Sequence, residues 1–377
     1  MRICVDVQSA VTQRSGVGRY TRELVNHLGP LAGDHQLRLF YFDFRRHGES
    51  WQVPHAQMRP QRWLPGRIVQ KAWQYAHFPP FDWLAGRADL YHFPNFICPP
   101  LARGKSVVTI HDVSFLRYPE FTEEKNRRYL AAQIAKTVAR ADRIITDSRF
   151  SAQEIAALLH VPPERITPIH LGISPAFRPA EAAAVDAMRK KYGLTRPYLL
   201  TLSTIEPRKN LPFLVDLFEN MADFDGELVI CGQPGWKYEP ILDRIRASKR
   251  AGAIRLLGHM DDADLPALYT GAGLFLCSSF YEGFGFPPLE AMACGTPVLS
   301  SAGGSLAEVL GSAAVVRQDF DPDGWLADAR RLLSDGVLRA DFRQRGLMQA
   351  AQYRWEKTAQ QTFAVYRELL EESGARG

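Results

Sequence analysis

Short β-branched runs alternating with longer amphipathic segments, in two successive series, constrain this chain more than any other feature. A parallel strand buried on both faces needs a continuous apolar run, and each crossover needs a helix with one apolar side. In the first series, residues 3–7 predict the opening strand and 18–28 the first helix. Residues 107–110, 143–146 and 166–169 predict later parallel strands, and Ser151 with Glu154 has capping-box spacing for a helix ending at Leu159. The second series starts after residue 175, with strands expected at 198–203, 227–231, 254–257, 273–278 and 297–300. Between the series, residues 172–179 hold two prolines and form a linker. A closing segment, 355–372, sets Phe363, Val365, Tyr366, Leu369 and Leu370 along one side. The pattern predicts an α/β protein with two Rossmann-like, doubly wound domains facing a cleft, at 1–173 and 174–354, followed by a helical segment over 355–377. Ligands of open α/β sheets sit beyond the carboxyl ends of the strands.

Composition narrows the function classes. With 377 residues, 46% of them apolar and 23% charged, the chain can bury a core in each domain and is neither disordered nor collagen-like. Its five cysteines (Cys4, Cys98, Cys231, Cys277 and Cys294) are scattered through apolar segments and read as buried thiols of a reducing compartment. No run approaches the ~18 apolar residues of a spanning helix, and Asp6 interrupts the start where a signal peptide would stay apolar. The expected location is the cytoplasm, with peripheral contact at the inner face of the membrane. Charge is uneven: residues 1–175 hold 23 basic against 15 acidic residues, a net +8, and the remainder 23 against 26, a net −3. A basic first half fits an acidic partner, but no zinc-finger spacing, RNP-like motif or basic run with interleaved aromatics points to nucleic acid. The aromatic, basic segment 62–75 is either an interfacial helix on an anionic bilayer or a helix packed on the first sheet with Trp73 buried.

The strongest chemical signal lies at 280–297, where a predicted strand runs into Glu282-Gly283-Phe284-Gly285-Phe286-Pro287-Pro288 and then a helix. Pro287 or Pro288 suits the first helical position, and Gly295 and Pro297 stop the helix after two turns. Glu290 is then expected in the first turn and Glu282 in the loop before it, both able to face the crevice beside backbone N–H groups that attract a phosphate. A dipole-complementing Glu290 and a solvated Glu282 are the plainer alternative; glycines flanking Phe284, which let backbone approach a ligand, favour binding. Residues 200–211 predict a strand, a turn holding Glu206-Pro207-Arg208-Lys209-Asn210, and a helix. Adjacent cations there can neutralise a diphosphate, arginine bidentately and lysine as a point charge. Gly16-Val17-Gly18 follows the first strand, yet Thr21 stands where a dinucleotide fingerprint has its third glycine, so a nicotinamide cofactor is disfavoured. Asp262-Ala263-Asp264 and Asp321-Pro322-Asp323 match a metal-binding string, but Asp261 or Asp262 in the first case and Asp321 in the second precede an apolar periodic run as an N-cap does, so no metal site is expected.

Residues 280–297 resemble, nearly word for word, the Glu-x7-Glu segment of retaining GT-B glycosyltransferases of family 4. Residues 204–210, the glycine loop, the His111-Asp112 strand end and the serine turn 148–151 resemble that family's other landmarks, over almost the whole chain. The resemblance implies that Glu290 binds the nucleotide ribose and Glu282 lies near the donor sugar. It implies that Gly283, Phe284, Gly285 and Phe286 line the sugar and phosphate site with Ser203, and that Gly16 and Gly18 approach the donor phosphates. Arg208 and Lys209 would stabilise the leaving diphosphate, and His111 would lie against the donor sugar. The first domain would hold the acceptor, the second the nucleotide-sugar, and the 355–377 helix would return to the first. The nearest likeness is to bacterial mannosyltransferases of O-antigen and exopolysaccharide assembly, which implies GDP-mannose as donor, a glycan or lipid-diphosphate-linked acceptor and no resident cofactor. Rhamnosyl or glucosyl transfer is the alternative within the fold. A nucleotide-sugar epimerase and a non-catalytic sugar-binding protein are the alternatives from other classes.

Overall fold

The computed structural model describes residues 1–13, 16–48 and 51–374, with the backbone alone at 126, 373 and 374. Ser15 of the glycine-loop motif and the tail 375–377 lie outside the described residues. The chain forms two units. The first comprises Met1–Leu116, Lys125–Gly172 and Trp355–Gly377; the second comprises Arg117–Glu124 and Ile173–Arg354.

Seven parallel strands build the sheet of the first unit: β1 (Arg2–Asp6), β2 (Gln36–Phe42), β3 (Ala56–Gln61), β4 (Leu90–Phe93), β5 (Lys105–Thr109), β6 (Arg143–Thr146) and β7 (Ile166–Pro168). Their order is β3-β2-β1-β4-β5-β6-β7. Six more build the second: β8 (Tyr198–Leu202), β9 (Glu227–Cys231), β10 (Ile254–Gly258), β11 (Leu274–Cys277), β12 (Val298–Ser301) and β13 (Val315–Arg317), ordered β10-β9-β8-β11-β12-β13. In each sheet the order reverses once, between β1 and β4 and between β8 and β11. Beyond the carboxyl ends of such a pair the loops diverge and leave a crevice. The strands read from sequence are present within two residues of their expected ends. β2, β3, β4 and β13 carry weaker signals. β3 is an edge strand with Pro60 in it and alternating exposure, and β13 is three residues long.

Both cores are apolar layers against the sheets. In the first unit Phe40, Trp73, Phe81 and Phe93 cluster with Val108, Ile110 and Ile144. In the second, Leu199, Leu228, Ile230, Leu274 and Leu299 pack with Trp325. All five cysteines are buried free thiols. Among the described residues no helix is long and apolar enough to cross a membrane.

Several helix starts differ from expectation. A short helix, Gln8–Thr12, precedes Val17–Leu31. Ser148, not Ser151, caps helix Arg149–Leu159, its hydroxyl accepting the Ser151 N–H at 3.0 Å. Asp321 caps helix Pro322–Ser334 as expected, accepting from Gly324 N at 2.9 Å. Asp261 and Asp262 cap nothing: helix Leu265–Thr270 starts from Asp264, whose carboxylate instead takes Lys191 and the Tyr192 hydroxyl.

Helix Trp355–Gly374 is an integral part of the first unit. Trp355 is buried near Tyr20, Thr358 donates to the His170 carbonyl, and the Tyr366 hydroxyl meets His92 Nδ1 at 2.6 Å. The other His92 nitrogen lies 2.8 Å from Thr109 Oγ1, and burial holds the ring neutral, with its pKa lowered to about 3. This polar chain is sealed from water, so deleting one member leaves a buried atom unpaired. Tyr366→Phe should therefore lower the denaturant midpoint of unfolding by an amount equivalent to about 1–3 kcal/mol, measured by circular dichroism in urea.

Candidate active site

In the second unit the two central loops are stitched together before any ligand is considered. After β8 the chain makes a short turn, Pro207–Lys209, and Asn210 adopts a left-handed φ of 50°. After β11, the Ser278 hydroxyl donates to the carbonyls of Lys209 and Asn210 at 2.9 and 3.0 Å, and Phe280 N donates to the Arg208 carbonyl at 2.9 Å. Those bonds bring Glu282 onto the two cations. Lys209 Nζ donates to Glu282 Oε1 at 2.6 Å, Ser279 Oγ donates to the same oxygen at 2.6 Å, and Arg208 Nη1 reaches Oε2 at 3.2 Å. Arg208 also meets the buried Glu206 carboxylate at 2.7 Å and donates to the Tyr281 carbonyl at 2.7 Å.

Burial works to raise the Glu282 pKa, but the charges of Lys209 and Arg208, with the Lys209 and Ser279 hydrogen bonds, win and hold it at about 2. The cluster is a balanced set of two cations and two carboxylates. Lys209 spends one of its three ammonium protons on Glu282. Ser203, just past β8, lines the same small recess, and its buried hydroxyl has no hydrogen-bond partner among the described residues. A buried hydroxyl of that kind is costly unless a ligand completes it. Of the two cations, Lys209 lines this recess, which is no larger than a water molecule, and Arg208 does not.

The motif's other members take different places. Helix Phe286–Ala293 begins at Phe286, with Pro287 and Pro288 second and third. Neither proline has an N–H, so that helix end offers fewer donors than the sequence suggests. Gly285 has φ 94°, and a Cβ there would lie 2.7 Å from Leu306. The Phe284 ring is buried between Phe286 and Tyr353, turned into the protein. Glu290 falls in the second turn rather than the first. It is almost wholly buried and accepts the Tyr269 hydroxyl at 2.9 Å.

Sequence reading missed the support behind Glu282. Gly304 presses against it so closely that a Cβ would sit 2.3 Å from the Glu282 carbonyl, and Ser305 donates to that carbonyl through N and Oγ, at 2.9 and 3.1 Å. The string Gly303-Gly304-Ser305 was the available signal.

The expected residues of the first unit form a separate group. His111 Nδ1 lies 2.9 Å from Asp147 and Nε2 lies 3.1 Å from the Pro94 carbonyl. Burial opposes a charge on the ring, but the Asp147 carboxylate and hydrogen bond outweigh it and raise the pKa. Both ring nitrogens are engaged, Nδ1 with Asp147 and Nε2 with the Pro94 carbonyl, which fixes the ring in place. The edge of the Tyr20 ring packs on it at 4.8 Å. Gly16 opens helix Val17–Leu31 at φ 58°. Gly18 is required by packing, since a Cβ would lie 2.1 Å from the Gln13 carbonyl.

Beside this group, at the carboxyl ends of β1 and β4, lies a cavity of about 190 Å³. Gln8, Gln13, Gln70, Gln74, Asn95 and Gln133 line it, with the rings of Trp73, Phe93 and Tyr129. Among the described residues, Asp6 and Arg140 are its only charged side chains. Burial pushes the Asp6 carboxyl up to about 6, against the Gln8 N–H that it accepts.

Two such parallel sheets, one with a charged cluster at its order reversal, define the two-domain GT-B glycosyltransferases. Sucrose-phosphate synthase from Thermosynechococcus elongatus shares the fold with a TM-score of 0.75 at 20% identity, covering 98% of this chain and 99% of that one. WaaG, a glycosyltransferase involved in lipopolysaccharide biosynthesis, does so at 0.70 and 16%, covering 96% and 98%. The family model for glycosyl transferases group 1 matches residues 185–348, and that for glycosyltransferase family 4 matches 14–177. O-antigen chain mannosyltransferase B of Escherichia coli is 34% identical over 374 residues, spanning 94% of this chain and 96% of that protein. Serotype-specific mannosyltransferase WbdA of the same species is 29% identical over 71% of this chain, which matches 34% of that longer protein. The chain belongs to glycosyltransferase family 4 and is a glycosyltransferase.

The Glu282 geometry has a pH signature. A carboxyl held near 2 in the fold, against an ordinary 4.5, stabilises the protein above pH 4.5 and loses that contribution as pH falls toward 2. Glu282→Gln should destabilise the protein at neutral pH by on the order of 3 kcal/mol. Thermal melts from pH 7 to 2 should show the gap from wild type closing between about pH 4.5 and 2.

Proposed function

We propose that the enzyme transfers mannose from GDP-mannose, with retention of anomeric configuration, to a lipid-diphosphate-linked glycan of cell-surface polysaccharide. The observation that carries this reading is the Arg208–Lys209 pair, fixed by Glu206 and Glu282 at the carboxyl ends of β8 and β11. The 34% identity with an O-antigen chain mannosyltransferase supports the sugar and the pathway class.

In this mechanism the acceptor hydroxyl oxygen bonds to the anomeric carbon on the face from which the diphosphate departs. The bond from that carbon to the β-phosphate oxygen breaks, and the hydroxyl proton passes to the departing phosphate. Arg208 and Lys209 meet the negative charge as it develops, already oriented and with little reorganisation. Glu282 has both oxygens engaged by these cations and Ser279, so it holds them rather than attacking the sugar. A double displacement would need a carboxylate open to the anomeric carbon. Side-chain cations neutralise the leaving group in this scheme, so transfer proceeds without a divalent metal. Loop amides of 283–286 and the Ser203 hydroxyl complete the donor site, and Glu290 takes the ribose.

The carboxamide cavity of the first unit takes the acceptor's terminal sugar. Six carboxamides with aromatic faces recognise a polyol, and Arg140 is the single guanidinium among the described lining residues, fewer cations than a phosphate would call for. The ionised Asp6 carboxylate accepts from a sugar hydroxyl.

The test is a nucleotide-sugar panel with membrane-extracted glycolipid acceptors, the product anomer being read by NMR. GDP-mannose should be used with retention and with chelator present. Lys209→Ala and Arg208→Ala should each cut kcat about 10²-fold or more, the scale of losing one charge-stabilising donor. Asp6→Asn should raise the acceptor KM, leave donor binding alone, and abolish the rise in acceptor affinity as pH climbs through about 6. Wild-type rates in both cation variants, or activity restored only by added magnesium or manganese, would refute the reading.

A further inference from the structure

Segment Arg117–Glu124 belongs to the second unit, although the chain on either side of it belongs to the first. Its partners there are residues of the loop that carries Glu282. The Phe121 ring stacks on Phe280 at 5.3 Å, and the Tyr118 ring meets the Tyr281 ring edge to face at 5.9 Å. Tyr118 and Phe121 also stack on each other at 5.4 Å, and Phe280 continues the run to Phe320 at 5.0 Å. Such spacings are those of favourable aromatic pairs.

The two residues covered are the two whose backbones grip Arg208. Phe280 N donates to the Arg208 carbonyl, and Arg208 Nη1 donates to the Tyr281 carbonyl at 2.7 Å. The strap is held in turn by Trp236 and Lys237. Trp236 Nε1 donates to the Phe121 carbonyl at 2.6 Å, and Lys237 Nζ donates to the Glu120 carbonyl at 2.7 Å. Lys237 has a left-handed φ of 52°, a conformation that a side chain makes costly and that persists only where neighbours enforce it. The loop carrying Trp236 is seated on the turn that carries Arg208. Ile205 N donates to the Gln233 carbonyl and Gly235 N to the Ile205 carbonyl, both at 2.9 Å. A Cβ at Gly235 would lie 2.6 Å from Thr204, so only glycine lets the two loops approach this closely. The circuit closes: from the Arg208 turn to the Trp236 loop, the strap, the Phe280–Tyr281 loop and back to Arg208.

We propose that Phe121 and Tyr118 are positioning residues for the transfer reaction, aiming the Arg208 guanidinium through Phe280 and Tyr281, with Trp236 locking them in place. The inference rests on the reading of Arg208 as a group that meets the leaving diphosphate, and it adds residues that act only through Arg208. A guanidinium recognises phosphate oxygens with a rigid fork of N–H groups, so its worth depends on its direction. Loop 280–282 supplies two of the acceptors that set that direction, the Tyr281 carbonyl and the Glu282 carboxylate. Removing the rings stacked on Phe280 and Tyr281 frees the backbone of that loop, and the fork moves with it. A small misplacement of a reacting group is expensive in rate. A strap serving stability alone would lower the melting temperature and leave its effect on kcat independent of Arg208.

The test uses full-length protein, the nucleotide-sugar that the donor panel selects and membrane-extracted glycolipid acceptor, with both substrates saturating. Phe121→Ala should cut kcat about tenfold, the scale of one lost aromatic pair. Phe121→Tyr, which keeps the ring, should retain the wild-type rate. Trp236→Phe, which removes the indole donor, should cut kcat about fivefold, the scale of one lost hydrogen bond. That variant decides the matter if Phe121→Ala fails to fold. In an Arg208→Ala background both substitutions should cost less than about twofold, because residues that act through one partner are not additive. Wild-type kcat in Phe121→Ala and Trp236→Phe, or equal losses with and without Arg208, overturns the proposal. Wild-type kcat in Arg208→Ala would instead overturn the reading of Arg208 on which the proposal rests.

Discussion

A carboxylate out of water needs a cation or hydrogen-bond donors beside it, and Glu282 has two cations. That requirement organises the second unit. To satisfy it, the loop after β11 must lie on the turn after β8, which the Ser278 and Phe280 hydrogen bonds accomplish, and Gly303 and Gly304 must leave room behind it. The result is two cations whose positions are set by the fold rather than by an incoming ligand. Stabilising a leaving diphosphate needs that kind of preorganisation, since charge already oriented has little reorganisation to undergo. The same pairing sets a limit. Lys209 is not a bare charge, and a diphosphate that engages it must share it with Glu282.

The two units use one topology with two different sets of side chains at the strand ends. Each sheet reverses order once, and each has its polar recess at the carboxyl ends of the strands flanking that reversal. In the second unit the strand ends carry the charged cluster of Arg208, Lys209, Glu206 and Glu282. In the first the recess is a wall of carboxamides and rings with, among the described residues, one carboxyl and one guanidinium. The fold supplies a crevice, and the side chains at the strand ends decide what enters it.

Legibility from sequence followed how local each signal was. Arg208-Lys209 and the 280–297 segment are short strings bounded by a strand and a helix, so both their position and the nature of their chemistry could be read. The partners that decide how those residues behave come from elsewhere in the chain. Asp147 holds His111 across 36 positions, and Glu282 lies 73 positions from Lys209. No spacing rule predicts such pairings. The cavity of the first unit draws its carboxamides from separate segments, each unremarkable alone. Helix caps were misassigned at Ser151 and at Asp261–Asp262 because a hydroxyl or carboxylate near a helix start has several donors in reach. At Asp264 a lysine and a tyrosine won over the backbone. Helix Phe286–Ala293 began earlier than expected because both prolines fit within its first turn, which moved Glu290 into the second.

The central claim is that Glu282 acts on the diphosphate through Lys209. The direct measurement is a double-mutant cycle on GDP affinity by calorimetry, using Glu282→Gln, Lys209→Met and the two combined. If Glu282 works by positioning Lys209, the combined variant binds GDP about as weakly as Lys209→Met alone, with a coupling of about 1 kcal/mol or more. Strictly additive losses would mean that the two residues act on the nucleotide independently, and would contradict the account.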